Sequence, residues 1–228
     1  MINPKDKIHP SWNPFLLDYL NEDALLNKLN SEVLTKCVYY PEAQNIFNVF
    51  QMPLSAIKVV ILEQDPYPQV DQAIGYAFAV NEGVNKPASL RIIEQEVGHE
   101  VDRTLQPWRD QGVFLLNTAL TVEQGKAGSH LEYWTEFTKS VIKHISQNNP
   151  CIWLLWGKHA QSYLENIDNS MFIYSSPKEQ LDIHYNYVLS SPHPAAETYS
   201  SNAGFLGNQH FIIVNNILKQ QNKELINF

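Results

Sequence analysis

Short apolar runs that stop abruptly at polar residues punctuate this chain. Val59-Val60-Ile61-Leu62 gives way to Glu63-Gln64-Asp65-Pro66-Tyr67-Pro68, and Val113-Phe114-Leu115-Leu116 gives way to Asn117-Thr118. Further on, Cys151-Ile152-Trp153-Leu154-Leu155-Trp156 ends at Gly157-Lys158-His159-Ala160, and Tyr187-Val188-Leu189 ends at Ser190-Ser191-Pro192-His193-Pro194. Runs of this length, bounded by turn residues, read as buried strands, the first over residues 57–62. Between them, hydrophobic residues recur every three or four positions: Leu90, Ile93, Val97, Val101 and Leu105; then Trp134, Phe137, Val141 and Ile145; then Phe211, Ile212, Val214, Ile217 and Leu218. That spacing predicts amphipathic helices. Nearer the N-terminus, Ala24, Leu25, Leu26 and Leu29 predict a shorter helix, and Phe47 and Phe50 are read as core. Gly75-Tyr76-Ala77-Phe78-Ala79-Val80 is expected to be a second short extended piece, and the part of residues 162–186 beyond a helix an irregular polar stretch.

Strands alternating with helices imply parallel βαβ units, right-handed crossovers and helices on both sheet faces. The predicted fold is α/β, a three-layer α/β/α arrangement around a central, mainly parallel four-stranded twisted sheet. Residues 1–228 are expected to form a single domain, without internal repeat or linker. In such a sheet every strand's carboxyl end opens on one edge, where ligands bind. The polar loops after the four strands must therefore converge, although Asp65 and His193 lie far apart in the chain. Two prolines stiffen the first of these loops, since each fixes its own φ and pushes the preceding residue out of the helical region.

Composition narrows the class. Of the 228 residues, 44% are hydrophobic, enough for a sizeable core. Two cysteines, Cys37 and Cys151, offer neither a disulfide framework nor zinc-ligand spacing. No run of eighteen apolar residues exists, and the first residues lack the apolar core of a signal peptide. A soluble, monomeric, cytoplasmic protein with no membrane association is expected. The formal net charge of −8 disfavours a generic nucleic-acid binder. It leaves room for one that holds phosphates on backbone amides and helix N-termini.

The converging edge collects Gln64, Asp65, Tyr67, Phe78, Ser89, Asn117 and His193. Dinucleotide and P-loop signatures, the nucleophile elbow and paired metal-ligand histidines are missing from the sequence, so no cofactor and no metal are expected. Taken singly, five of these have a structural explanation: Phe78 as core, Asn117 as a turn former, Ser89 as a helix N-cap, Asp65 as the start of an Asp-Pro turn, His193 as an exposed loop residue. Together they fit cleavage of an N-glycosidic bond. The Asn117 carboxamide has a donor and an acceptor side by side for the edge of a planar heterocycle, and Phe78 can stack on its face. Asp65 can position a water or stabilise a developing cation, and His193 can donate to a departing oxyanion.

At these residues the chain resembles the family 1 uracil-DNA glycosylases, in order from about Tyr40 to Phe211. Gln64-Asp65-Pro66-Tyr67 is similar to that family's water-activating motif, residues 112–121 to its uracil-reading segment, and Leu154-Leu155-Trp156-Gly157-Lys158-His159-Ala160 to a third block. Ser191-Pro192-His193-Pro194 resembles the start of its minor-groove loop, with Gly204-Phe205-Leu206-Gly207 following. The resemblance implies base-excision repair: uracil is flipped from DNA and its glycosidic bond hydrolysed, leaving free uracil and an abasic site. It implies catalytic roles for Asp65 and His193, and a uracil pocket of Gln64, Tyr67, Phe78 and Asn117, with Tyr67 crowding C5 against thymine. Pro87, Ser89, Ser191, Glu197, Thr198 and Tyr199 are implied as the DNA-contacting set. A DNA-mimic protein inhibitor is an implied partner.

Several positions depart from the family pattern. Glu63 stands where glycine is usual and Pro68 where histidine is usual. Ala195 lacks a phosphate-binding hydroxyl, and Glu197 aligns with the apolar wedge that normally enters the minor groove. The loop before Gly204 and residues 162–186 are longer than typical. The missing wedge and the negative charge lead us to expect a preference for single-stranded uracil DNA. The competing reading is a non-enzymatic DNA-binding or replication-accessory protein on a glycosylase scaffold, which would have no need of the full set of pocket residues.

Overall fold

The apolar runs become strands because every side chain in them has somewhere dry to go. In the computed structural model, which describes residues 7–16, 24–177 and 180–228, the elements in chain order are α1 (Ala24–Lys28), β1 (Tyr39–Tyr40), β2 (Val59–Glu63), α2 (Ala88–Val97), α3 (Gln106–Asp110), β3 (Val113–Asn117), β4 (Val122–Glu123), α4 (Leu131–Asn148), β5 (Ile152–Trp156), α5 (Gly157–Gln161), β6 (Ser170–Phe172), β7 (Asn186–Ser191) and α6 (His210–Gln220). Residues 1–6, on which the reading of no signal peptide rests, and the side chains of Ala24 and Leu26 lie outside the described residues.

The main sheet runs β3-β2-β5-β7-β6, with every neighbouring pair parallel. It therefore has five strands rather than the expected four. The addition, β6, falls in the stretch read as irregular and polar. It is three residues long and exposed throughout, so it carries no alternating or buried pattern. It is tied to the core by Asn186, a buried carboxamide with all its capacity used. Its Oδ1 accepts from the Cys151 N–H and the Trp153 indole, and its Nδ2 donates to the Ser146 and Asp168 carbonyls. A separate antiparallel pair joins β1 to β4, Tyr39 opposite Glu123 and Tyr40 opposite Val122.

Strand alternation sorts the core into two layers. Val60, Leu62, Phe114, Leu116, Trp153, Leu155 and Val188 face α4 and the N-terminal aromatics Trp12, Phe47 and Phe50. Val59, Ile61, Val113, Leu115, Ile152, Leu154, Trp156, Tyr187 and Leu189 face α2, α6 and Trp108 of α3. The expected α/β/α layering is thus present. Trp134, Phe137, Val141 and Ile145 on α4 are all buried, as their spacing predicts.

Other expectations need correction. α2 stops at Val97, where Gly98 takes a left-handed cap (φ 88°), so Val101 and Leu105 are buried in the following loop and not on the helix. On α6, Ile212 is 59% exposed and Ile213 faces the core instead. Residues 75–80 form no strand. Ala73 and Val80 make one isolated bridge, and the chain between them bends through a left-handed Phe78 (φ 63°). No helix among the described residues is long and apolar enough to cross a membrane.

The order of the strands fixes where a ligand belongs. From β2 the chain goes outward to β3 on one side and then crosses to β5 on the other. The carboxyl end of β2 is therefore a topological switch point, with an open crevice above it.

Candidate active site

The crevice above β2 holds a pocket of about 90 Å³, lined by Glu63, Asp65, Pro66, Tyr67, Pro68, Tyr76, Phe78, Ser89 and Asn117. A larger cleft of about 970 Å³ lies around Lys58, Gly112 and Asn149; it shares Tyr76 with this pocket but is lined by none of Asp65, Asn117 and His193.

The loop after β2 is pinned to the loop after β3. The Glu63 and Gln64 carbonyls accept from the Thr118 and Ala119 N–H groups (2.8 and 2.9 Å), and the Thr118 hydroxyl also donates to the Gln64 carbonyl (2.8 Å). That hydroxyl has one proton, so its 2.7 Å contact with His159 Nε2 must be an N–H donated by the imidazole. Burial holds the His159 pKa below its usual value, while the Glu63 charge pulls the other way.

Asp65 is held at both oxygens. Its Oδ2 accepts a short bond from the Gly128 N–H, and its Oδ1 is 3.3 Å from the Gln64 amide. Burial raises the carboxyl above the usual range. The Gly128 bond offsets part of that rise, the Glu63 charge adds to it, and the Gln64 bond lowers it again. Gln64 thus faces Asp65. Tyr67 forms a wall, its hydroxyl 3.5 Å from the Phe78 carbonyl, and burial pushes its phenol pKa upward, with Glu63 reinforcing the shift.

Phe78 sits in the left-handed region, uncommon for an aromatic and typical of over-determined sites. The Ala77 N–H, bonded to the Leu115 carbonyl at 3.0 Å, anchors the bend to β3. The Phe78 ring lies between Trp156 (5.7 Å between centroids) and His193 (5.9 Å, 30° between planes). Asn117, the cross-strand partner of Glu63, is only 4% exposed. Its Oδ1 is buried and has no hydrogen-bond partner among the described residues. Leaving such an acceptor dry costs about 1–3 kcal/mol.

His193 enters from the far side of the sheet. Gly157 makes this possible, for a Cβ there would lie 2.9 Å from the His193 Cβ, and its φ of 86° suits glycine. The imidazole tautomer follows from its partners. Nδ1 accepts from the Ala195 N–H (3.1 Å), so the ring proton is on Nε2, which meets the Glu63 carboxylate at 2.8 Å.

The structure therefore brings Asp65, Tyr67, Phe78, Ser89 and Asn117 into the wall of one pocket; Gln64 and His193 do not line it, but Gln64 lies beside Asp65 and His193 against Glu63 and Phe78. Ser89 is not the N-cap of α2; Pro87 is, and Ser89 stands in the first helical turn beside the pocket. Two of the DNA-contacting candidates bond within their own loop, Ser191 to the Pro192 carbonyl and Thr198 to the Ala195 carbonyl. Glu197 does not project as a wedge. Its carboxylate accepts from the N–H groups of Ala203, Phe205 and Leu206. Tyr199 is 89% exposed at the tip of that turn. The sequence reading assigned no role to Glu63, Gly128 or the Thr118–His159 pair. Glu63 was marked only by its departure from a family glycine, and the others meet the site through contacts distant in sequence.

Comparison with known proteins places the chain in a family. Residues 51–219 match the model of the uracil DNA glycosylase superfamily. Proteins named uracil-DNA glycosylase from Vibrio parahaemolyticus and Borreliella burgdorferi are 37% and 38% identical, the alignments covering 96% and 98% of this chain and 96% and 99% of theirs. The crystal structure of mimivirus uracil-DNA glycosylase superposes with a TM-score of 0.81 at 27% identity, over 99% of this chain and 88% of that one. A variant of the mimivirus protein in complex with UGI gives 0.82 at 28% identity, over 99% and 90%. This chain belongs to the uracil-DNA glycosylase family.

Proposed function

We propose that the protein is a DNA-repair hydrolase that flips uracil out of DNA into the pocket above β2 and cleaves its N-glycosidic bond. The observation that carries this reading is the buried Asn117 Oδ1, an acceptor with no hydrogen-bond partner among the described residues, at the wall of a single-ring-sized pocket. An imide N–H of uracil supplies the donor it lacks, and the neighbouring Nδ2 can donate to the adjacent carbonyl. Phe78 stacks on the ring, and Tyr67 occupies the space a C5 methyl would need. Unstacking the base costs roughly a few kcal/mol, which these contacts must recover.

In the cleavage step the C–N bond lengthens, positive charge grows on the sugar and negative charge on the base. Asp65, fixed by Gly128, stabilises the cation and orients the attacking water, whose proton it accepts. The His193 Nε2–H donates to the base oxygen where the negative charge gathers. The first turn of α2, with Pro87 and Ser89, holds backbone phosphate without needing basic residues. The tucked Glu197 leaves the turn without an apolar wedge at that position, which supports a preference for single-stranded substrates. The mimivirus complex supports the expectation that UGI binds here too.

The test is uracil release from a single-stranded oligonucleotide carrying one deoxyuridine, beside Asp65→Asn. Release that the substitution abolishes is the expected result. DNA binding without release would favour the accessory-protein reading.

A further inference from the structure

Glu63 is the one pocket-lining charge that the mechanism above does not use. Its carboxylate can only accept, so the 2.8 Å contact with His193 Nε2 is a bond donated by the imidazole. That is the same N–H the base oxygen needs. The ring cannot substitute its other nitrogen, because Nδ1 is already taken by the Ala195 N–H. Nor can Glu63 move out of range by backbone adjustment. It is the last residue of β2, in register with Asn117, and its carbonyl is bonded to the Thr118 N–H. Only its side chain can swing away.

We propose that Glu63 is a positioning residue that latches His193 in the free protein: it holds the imidazole as the neutral Nε2–H tautomer, aimed along the pocket, and must be displaced by the base oxygen when uracil enters. The proposal rests on the glycosylase reading for its substrate, but the latch itself is a property of the free protein. Each binding event exchanges a charge-assisted hydrogen bond for a neutral one, and charge-assisted bonds are roughly twice as strong. The latch therefore weakens base binding while keeping His193 pre-aligned. Its effect falls on affinity, with turnover of the bound complex little changed.

The first readout is independent of catalysis. Proton NMR of the free wild-type protein is expected to show a downfield, exchange-protected imidazole N–H, assigned to His193 by its loss in His193→Ala and absent in Glu63→Gly. The second is competitive inhibition by free uracil. Glu63→Gly is expected to tighten the inhibition constant and lower KM by about tenfold, the size of one such hydrogen bond, with kcat changed much less. Glu63→Gln, which keeps an acceptor oxygen but no charge, falls between and serves if the glycine variant does not fold. In a His193→Ala background the Glu63 substitutions lose their effect, since they act through that ring. A missing N–H resonance in the wild type, or Glu63 variants with unchanged or weaker uracil binding, overturns the latch. A wild type that shows the resonance but releases no uracil instead overturns the glycosylase reading.

Discussion

The two loops that meet over the pocket are built on opposite plans. Residues 63–68 are held by backbone: the carbonyls of Glu63, Gln64 and Pro68 accept from the N–H groups of Thr118, Ala119 and Gly125, and Gly128 fixes the Asp65 carboxylate. Residues 193–207 have local backbone bonds over the turn 193–200 and are tied down beyond it by two carboxylates. Glu197 gathers three N–H groups of its own loop, and Glu96 on α2 accepts from Gly207 and Gln209. The first loop keeps Gln64, Asp65 and Tyr67 half-buried, whereas the second leaves Tyr199 and Leu206 in solvent. Backbone bonds survive substitution and side-chain bonds do not. The loop that carries Asp65 is thus built to stay fixed, and the loop that follows His193, with its exposed turn, to be retuned by single changes.

That contrast is tested hardest at Asp65. Asp65→Asn keeps an oxygen for the Gly128 N–H and so preserves the loop, but removes the charge. Uracil release should fall by roughly 10²- to 10⁴-fold, the usual cost of a positioned acid–base group, with the melting temperature nearly unchanged. A loss below tenfold in single-turnover measurements would show that the rigid loop does not carry the chemistry.

The next effect concerns stability beneath the second loop. His210 is 5% exposed, and its Nδ1 accepts from the Trp156 indole at 3.0 Å, while Trp156 packs edge-on against Phe205. Burial pushes the His210 pKa down to about 4, against 6.5 unfolded. The unfolded chain binds the proton more readily, so this contribution to stability is fully present above pH 6.5 and is lost as pH falls towards 4. It amounts to at most about 3 kcal/mol. Asp65, whose carboxyl is raised by burial, pulls in the opposite direction. Urea unfolding at neutral and acid pH should therefore show a shallower loss in His210→Gln than in the wild type. Parallel pH dependences in the two proteins would remove His210 from the acid response.

The sequence was most informative where the physics is local. Buried strands announce themselves as apolar runs, and parallel order follows from alternation with helices, so the convergence of Asp65, Asn117 and His193 was readable before any coordinates. What escaped was set by contacts between distant residues. β6 has no buried side chain to betray it. Phe78 adopts its left-handed bend because Leu115 anchors Ala77, which no local pattern encodes. Glu197 aligns with a wedge position but folds back because three N–H groups wait six to nine residues onward. Glu63 stood out as an odd residue, yet its partner His193 is supplied by the loop after β7.

Tyr199 sharpens the comparison from the exposed side. If its ring enters the stack of a duplex opened by base flipping, Tyr199→Ala should lower kcat/KM on double-stranded substrate by about tenfold, near the lower end of base–aromatic stacking energies. Single-stranded substrate, which has no stack to invade, should be affected less. Matched oligonucleotides of both kinds decide it. Equal losses on both would make Tyr199 a general DNA contact, and no loss on either would leave the turn without an aromatic wedge.

The smallest expected effect belongs to Glu197, and it bears directly on how the second loop is held. The N–H groups of Leu206, Phe205 and Ala203 together keep its carboxyl below the usual range, so the anion is present throughout the neutral range. Glu197→Ala removes the shared acceptor. Residues 203–206 can then turn to water, and KM for uracil DNA should rise several-fold on both strand forms with kcat nearly intact. Glu197→Gln, which retains one acceptor oxygen, should recover part of the loss. A fall in kcat equal to the rise in KM would mean that this carboxylate reaches through the Pro194–Thr198 turn to His193. The two loops would then work as one unit and not as a fixed half and a tunable half.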